Sequence, residues 1–147
     1  MSHNQMSDKS LIMLSEGLKN NTKLTDLFFT HNDLVSEGGD GGLHFIKSLA
    51  NKRELKSLAI NSCNLNGNLL EELQKSIESH QNLRELYLFA NKIDQEGARC
   101  ISKIIKNKDR LTCLGLSNNK LMKNGAVEIA YALQGKRELV KLSIENN

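Results

Sequence analysis

Five times along this chain the same spacing of leucines returns. The segments LTDLFFTHNDL from Leu24, LKSLAINSCNL from Leu55, LRELYLFANKI from Leu83 and LTCLGLSNNKL from Leu111 align without gaps, and LVKLSIENN from Leu139 continues the series. Their starts lie 31, 28, 28 and 28 residues apart. Each copy has an aliphatic residue at its first and fourth positions, an aliphatic residue or Phe at the sixth, and Asn or Cys at the ninth. A period of this size marks one supersecondary unit that cannot bury its apolar face alone and stacks on copies of itself. The presence of 24 leucines and no proline among 147 residues agrees with such stacking.

Each copy splits into two halves. Side chains alternate along an extended segment, so Leu83, Leu86 and Leu88 can face one core while Glu85 and Tyr87 face out. The ninth-position residues, Asn32, Cys63, Asn91, Asn119 and Asn147, fall where the strand bends, and an Asn there can satisfy backbone groups in register with the next copy. Cys63 is a smaller, weaker donor and acceptor, expected to be buried and structural. A turn with glycine follows (Gly38, Gly97, Gly125 and the displaced Gly67), then apolar residues at helical spacing: Leu69, Leu70, Leu73 and Ile77; Ala98, Ile101, Ile104 and Ile105; Ala126, Ile129, Ala130 and Leu133. Spacings of three and four set these on one stripe facing the sheet. Lys103, Lys106 and Lys108 read as a solvated outer face. The three extra residues of the first copy fall in VSEGGDGGLHF, a surface turn in which Gly38, Gly39, Gly41 and Gly42 supply positive φ; the GxxxxGK[ST] of a phosphate loop is missing.

The spacing LxxLxLxxNxL, with Cys admitted for Asn, is a leucine-rich-repeat signature. With a 28-residue period and a helical second half, the chain resembles the ribonuclease-inhibitor-like class of these repeats from about Ser7 to its last residue. The resemblance implies an α/β solenoid, a horseshoe with an inner parallel β-sheet, outer α-helices and an asparagine ladder at the ninth positions. Similar repeats serve as inhibitors, immune-receptor sensors, actin-filament cappers, scaffold subunits and microbial effectors. One domain over 1–147 is expected, with a half-repeat helix over about 8–20 capped by Ser7 or Asp8 and lined inside by Leu11, Leu14 and Leu18. Repeats start at 24, 55, 83 and 111, and an incomplete repeat starts at 139.

Composition narrows the function. With 39% hydrophobic and 25% charged residues and no apolar run near the ~18 residues of a membrane helix, the chain reads as globular and not membrane-spanning. Its net charge of +3 is mild and scattered, so nucleic acid is not implied. The polar start MSHNQMSDKS lacks an apolar signal region, and Cys63, Cys100 and Cys113 lack CxxC spacing, which together point to reduced thiols in the cytoplasm. No catalytic, metal or cofactor constellation emerges: His3, His31, His44 and His80 share no spacing, His31 reads as a hydrogen-bonded surface residue, and Glu71 and Glu72 read as the start of a helix.

What remains is binding to another protein. The outward strand positions would form the concave face: Asp26, Phe28 and His31 in the first copy, Asn61 in the second, Arg84, Glu85, Tyr87 and Phe89 in the third, Ser117 in the fourth, Lys141 and Glu145 in the fifth. Phe28, Tyr87 and Phe89 are three of six aromatics, and exposed aromatics are the usual anchors of interfaces. The last copy stops between strand and helix; half-lost burial of Leu139, Leu142 and Ile144 would cost about 2–5 kcal/mol, so a partner or a second copy is expected to cap that strand, the alternative being a natural protein that continues past it. The rival readings are a regulator of a small GTPase, which would accelerate single-turnover GTP hydrolysis, and a structural subunit of a large assembly.

Overall fold

The computed structural model describes residues 6–35 and 39–147. Gly38 lies outside them. Among the described residues, strands and helices alternate: α1 (Asp8–Leu18), β1 (Asp26–Thr30), α2 (Gly41–Ser48), β2 (Ser57–Asn61), α3 (Gly67–Ser76), β3 (Glu85–Tyr87), α4 (Gln95–Lys106), β4 (Cys113–Gly115), α5 (Met122–Leu133) and β5 (Lys141–Ser143). The strands form a parallel sheet in chain order, β1-β2-β3-β4-β5, so every crossover joins neighbours. Register follows the repeat, with Phe28, Ala59, Tyr87, Gly115 and Ser143 side by side. The result is an α/β solenoid with helices on one face of the sheet.

The core lies between sheet and helices. Leu55, Leu58, Ile60, Leu83, Leu86 and Leu88 are fully buried, facing Leu70, Leu73, Ile77, Ile101 and Ile105. At β5 the cover thins: Leu142 is 44% exposed and Leu139 and Ile144 are half-buried. Helix starts are locally encoded, since Ser7 Oγ, Asn66 Oδ1 and Asp94 Oδ1 accept from backbone N–H groups of Ser10, Leu69 and Gly97. α1 ends at Leu18, two residues before the expected limit. Glu71 and Glu72 do not begin a helix; they sit past the first turn of α3, which Asn66 caps.

Each strand ends in one left-handed residue, at His31 (φ 55°), Ser62 (53°), Ala90 (51°), Asn118 (59°) and Asn146 (56°). These residues remain tied across the sheet, with Ser62 N donating to Phe89 O (2.8 Å) and Ala90 N to Ser117 O (3.0 Å). The turn brings the ninth side chain inward. Asn91 Oδ1 accepts from Cys63 N (3.0 Å) and Leu65 N (3.1 Å), while its Nδ2 donates to Ile60 O (2.7 Å) and Leu88 O (3.1 Å). Asn119 repeats the arrangement, accepting from Asn91 N (3.1 Å) and Ile93 N (3.2 Å) and donating to Leu88 O (3.0 Å) and Leu116 O (2.8 Å). Asn147 Nδ2 reaches Leu116 O (3.0 Å) and Ile144 O (2.9 Å), and Asn32 Nδ2 reaches Thr30 O (3.0 Å). Cys63, with no amide to offer, donates its thiol to Phe29 O (3.2 Å) and Asn61 O (3.1 Å), and its backbone carbonyl takes Leu34 N (3.0 Å). Burial pushes this thiol up to about 11.

Gly39, Gly41 and Gly42 serve close approach, which corrects the expectation of positive φ at these three. Among the described glycines, only Gly135 has positive φ (80°). A Cβ on Gly42 would lie 2.0 Å from Leu34 O, and one on Gly41 would lie 2.6 Å from Asp8 O. Gly41 N donates to the Asp8 carboxylate, so α1 supplies the anion at the start of α2.

Candidate protein-binding face

The outward strand positions line the sheet face away from the helices, but they do not form one aromatic cluster. Tyr87 and Phe89 are half-buried with rings stacked at 5.8 Å and 25°. Phe28 is 52% exposed and stands two strands away, roughly 10 Å, with Ala59 between. A Cβ on Gly115 would come within 2.2 Å of Phe89 Cζ, so the ring lies flat over the place where Gly115 has no side chain. Burial, then a hydrogen bond with Cys113 and the nearby Cys113 and Glu85 charges, pushes the Tyr87 phenol up to about 12. Tyr87 therefore stays a neutral donor at physiological pH.

The polar positions divide by what already holds them. Glu85 accepts from Ser57 Oγ (3.0 Å), Asp26 accepts from Thr25 Oγ1 (2.6 Å), and Asn61 Oδ1 accepts from Phe89 N (2.8 Å). Ser117 is buried and gives its hydroxyl to Glu145, which holds that carboxyl below the usual carboxylate pKa. Asn61 and Ser117 thus work inside the sheet, while Arg84, Lys141 and Glu145 are exposed at β3 and β5 and His31 is exposed beyond β2, on the Phe28 side.

On the other side of the repeat runs a column that sequence reasoning missed. Lys52 Nζ donates to Leu18 O (2.6 Å), Lys108 Nζ to Glu78 O (2.9 Å) and Lys136 Nζ to Lys106 O (2.9 Å), while His80 Nε2 meets Leu49 O at 3.0 Å. Lys52 and Lys136 reach the last residues of α1 and α4, where carbonyls lack intrahelical partners and a cation meets the negative end of the dipole, while His80 and Lys108 reach the turns that follow α2 and α3. Lys108 is 2% exposed, so it is no part of a solvated outer face; Lys103 and Lys106 are exposed. The signal was available: Lys52, His80, Lys108 and Lys136 keep the 28-residue period.

His80 is the titratable member. It is fully buried, and its Nδ1 has no hydrogen-bond partner among the described residues. Burial first, then the charges of Lys108, Arg53 and Lys52, holds its imidazole below the ordinary 6.5, against the pull of the Leu49 carbonyl. The unfolded chain then binds the proton more readily than the folded one. Stability is complete above pH 6.5 and falls as pH drops toward the lowered value, by at most about 1.4 kcal/mol per unit. Denaturant midpoints should therefore decline between neutral and mildly acid pH, and H80Q, which keeps a donor for Leu49 O, should flatten the decline; an unchanged slope would refute the assignment.

Among the described residues, no group of three or more His, Cys, Asp or Glu could hold a metal ion, and no helix is long and apolar enough to cross a membrane. A family model described as Leucine Rich repeat matches residues 79–102, which contain β3 and most of α4. NLR family CARD domain-containing protein 4 of Bos taurus is 32% identical over 98 residues, 66% of this chain and 9% of that protein, so the chain spans under a tenth of that relative. Among solved structures, leiomodin-1 Actin-Binding Site 2 (ABS2) shares the fold with a TM-score of 0.73 at 19% identity, covering 95% of this chain and 80% of that one.

Proposed function

Because this chain is a leucine-rich-repeat protein, we propose that it is a non-catalytic module that binds another protein through its concave sheet face, centred on Tyr87 and Phe89. The observation that carries the reading is the stacked ring pair, half-exposed and seated over Gly115. Rigid aromatics contribute large contact area at small entropic cost, and exposed Arg84, Lys141 and Glu145 supply a polar rim. The 28-residue period supports a ribonuclease-inhibitor-like class of repeat, and three free thiols, Cys63, Cys100 and Cys113, support a reducing, cytoplasmic setting.

The test is affinity capture from native extract, followed by titration of the captured partner. Y87A/F89A should weaken binding at least about a hundredfold, as loss of two anchors worth roughly 2 kcal/mol each requires. G115V should act in the same direction by displacing the Phe89 ring from its seat. Full binding by either variant in folded form would move the function off this face.

The exposed flank of β5 supports a second contact. Val140 is 77% and Leu142 44% exposed, and the outer edge of β5 presents unpaired backbone groups suited to a following repeat, a partner strand or a second copy. Sedimentation at high micromolar concentration separates these, since a monomer there excludes the second copy.

A further inference from the structure

The outer faces of the helices change character at α5. At one outward position α3, α4 and α5 carry Glu71, Arg99 and Val127, and one turn later they carry Lys75, Lys103 and Tyr131. Arg99 and Lys103 are exposed although α4 has helices on both sides, so this position faces solvent whatever flanks it. Val127 (45% exposed) and Tyr131 (61%) are therefore apolar side chains on the convex surface, with Met122 (69%) at the head of the same helix. The register between helices is fixed by Asn124 Nδ2 donating to Gln95 Oε1 (3.2 Å), which sets Arg99 beside Val127 and Lys103 beside Tyr131.

The surround is basic. Residues 95–137 hold nine Lys and Arg against three Asp and Glu, and setting aside Lys108 and Lys136, which serve the column between helices, seven cations remain there. Of the three acids, Glu96 pairs with Arg99 (2.8 Å) and Asp109 with Lys136 (2.7 Å). Lys103, Lys106 and Lys123 stay exposed around the apolar stripe.

We propose that the convex face of α4 and α5 docks an acidic amphipathic helix of another protein, separately from the concave face. Val127 and Tyr131 stand one helical turn apart, about 6 Å, which suits apolar side chains at the same spacing on a partner helix. Lying along α4 and α5, that helix would set carboxylates against Lys103, Lys106 and Lys123. Tyr and Met are favoured at interface centres, and charge complementarity fixes orientation. Glu128, half-buried on α5, together with Asn124 and Gln134, gives a polar border that suits a protein more than an anionic bilayer.

The probe is a short synthetic helix with leucines at the first, fourth, fifth and eighth positions and flanking glutamates, followed by amide NMR of the intact chain. It should move the amides of 99–106 and 122–131 and leave those of the strands in place. The same peptide with lysines for glutamates should bind at least tenfold more weakly. V127Q/Y131Q, which removes the apolar stripe without changing the charge and keeps helix-forming residues, should also cost at least tenfold. Equal binding of both peptides, shifts confined to the strands, or no shift at millimolar peptide would overturn the proposal. Binding of phosphatidylserine vesicles that V127Q/Y131Q abolishes, without binding of the acidic peptide, would also overturn it and assign the patch to membrane.

Discussion

Replacing Asn119 by Ala should destabilise the protein by about 4 kcal/mol, a large share of the roughly 5–15 kcal/mol that holds a typical domain. The side chain is 8% exposed and satisfies two N–H groups, of Asn91 and Ile93, and the carbonyls of Leu88 and Leu116. Alanine leaves the two N–H groups buried and unpaired at about 1–3 kcal/mol each before relaxation, while Leu88 O keeps Asn91 Nδ2 (3.1 Å) and Leu116 O keeps Asn147 Nδ2 (3.0 Å). The damage should be local at first, because a solenoid unit contacts only its neighbours. Hydrogen exchange should accelerate in β3, β4 and the turns after them while α1 and α2 stay protected. N147A, at an exposed rung, should cost much less. Denaturant unfolding of the two variants measures the difference; a loss below about 1 kcal/mol for N119A would mean that water takes over the rung.

F29A and F28A should separate stability from binding between adjacent residues. Phe29 has no exposed surface, and its ring centroid lies 4.2 Å from that of Phe45. Its loss should cost about 3–5 kcal/mol, the range for buried aromatic truncation. Phe28, on the opposite face and 52% exposed, should cost under about 0.5 kcal/mol. If the partner does not reach β1, F28A should also bind normally, since Phe28 stands apart from the Tyr87 and Phe89 pair. Equal destabilisation by the two variants would contradict the strand's orientation.

The parts of the fold legible in the sequence were those carried by side chains repeated in register. Leu83, Leu86 and Leu88 announced a buried face, and Ser7 announced a helix start, because each signal lies within a few residues of its effect. Lys108 misled because a lysine at a helix end ordinarily reads as solvated, and only Glu78 O, in the turn after a neighbouring helix, makes its burial favourable. The first-loop glycines misled for a related reason: composition signals freedom, whereas the structure needs them small, against Leu34 and Asp8. On the concave face the two-residue spacing of Tyr87 and Phe89 already set that pair on one side of the strand, and their rings do meet. What the sequence hid depends on neighbouring strands: Ala59 parts the pair from Phe28, and Gly115 opens the seat under Phe89.

The column of Lys52, His80, Lys108 and Lys136 fixes the step by which such a protein can lengthen. Its contacts always run from one unit to the unit before, and so do the Asn91 and Asn119 bonds on the opposite rim, with Cys63 N and Asn91 N each joined to a side chain 28 residues on. Excising or duplicating one whole unit rejoins both rims at once, whereas a unit one residue longer between strand and helix end shifts one rim against the other. The three additional residues of the first copy lie in the loop between β1 and α2 and leave both seams closed. Growth by whole units, with surplus length confined to that loop, is thus built into the joinery of the molecule.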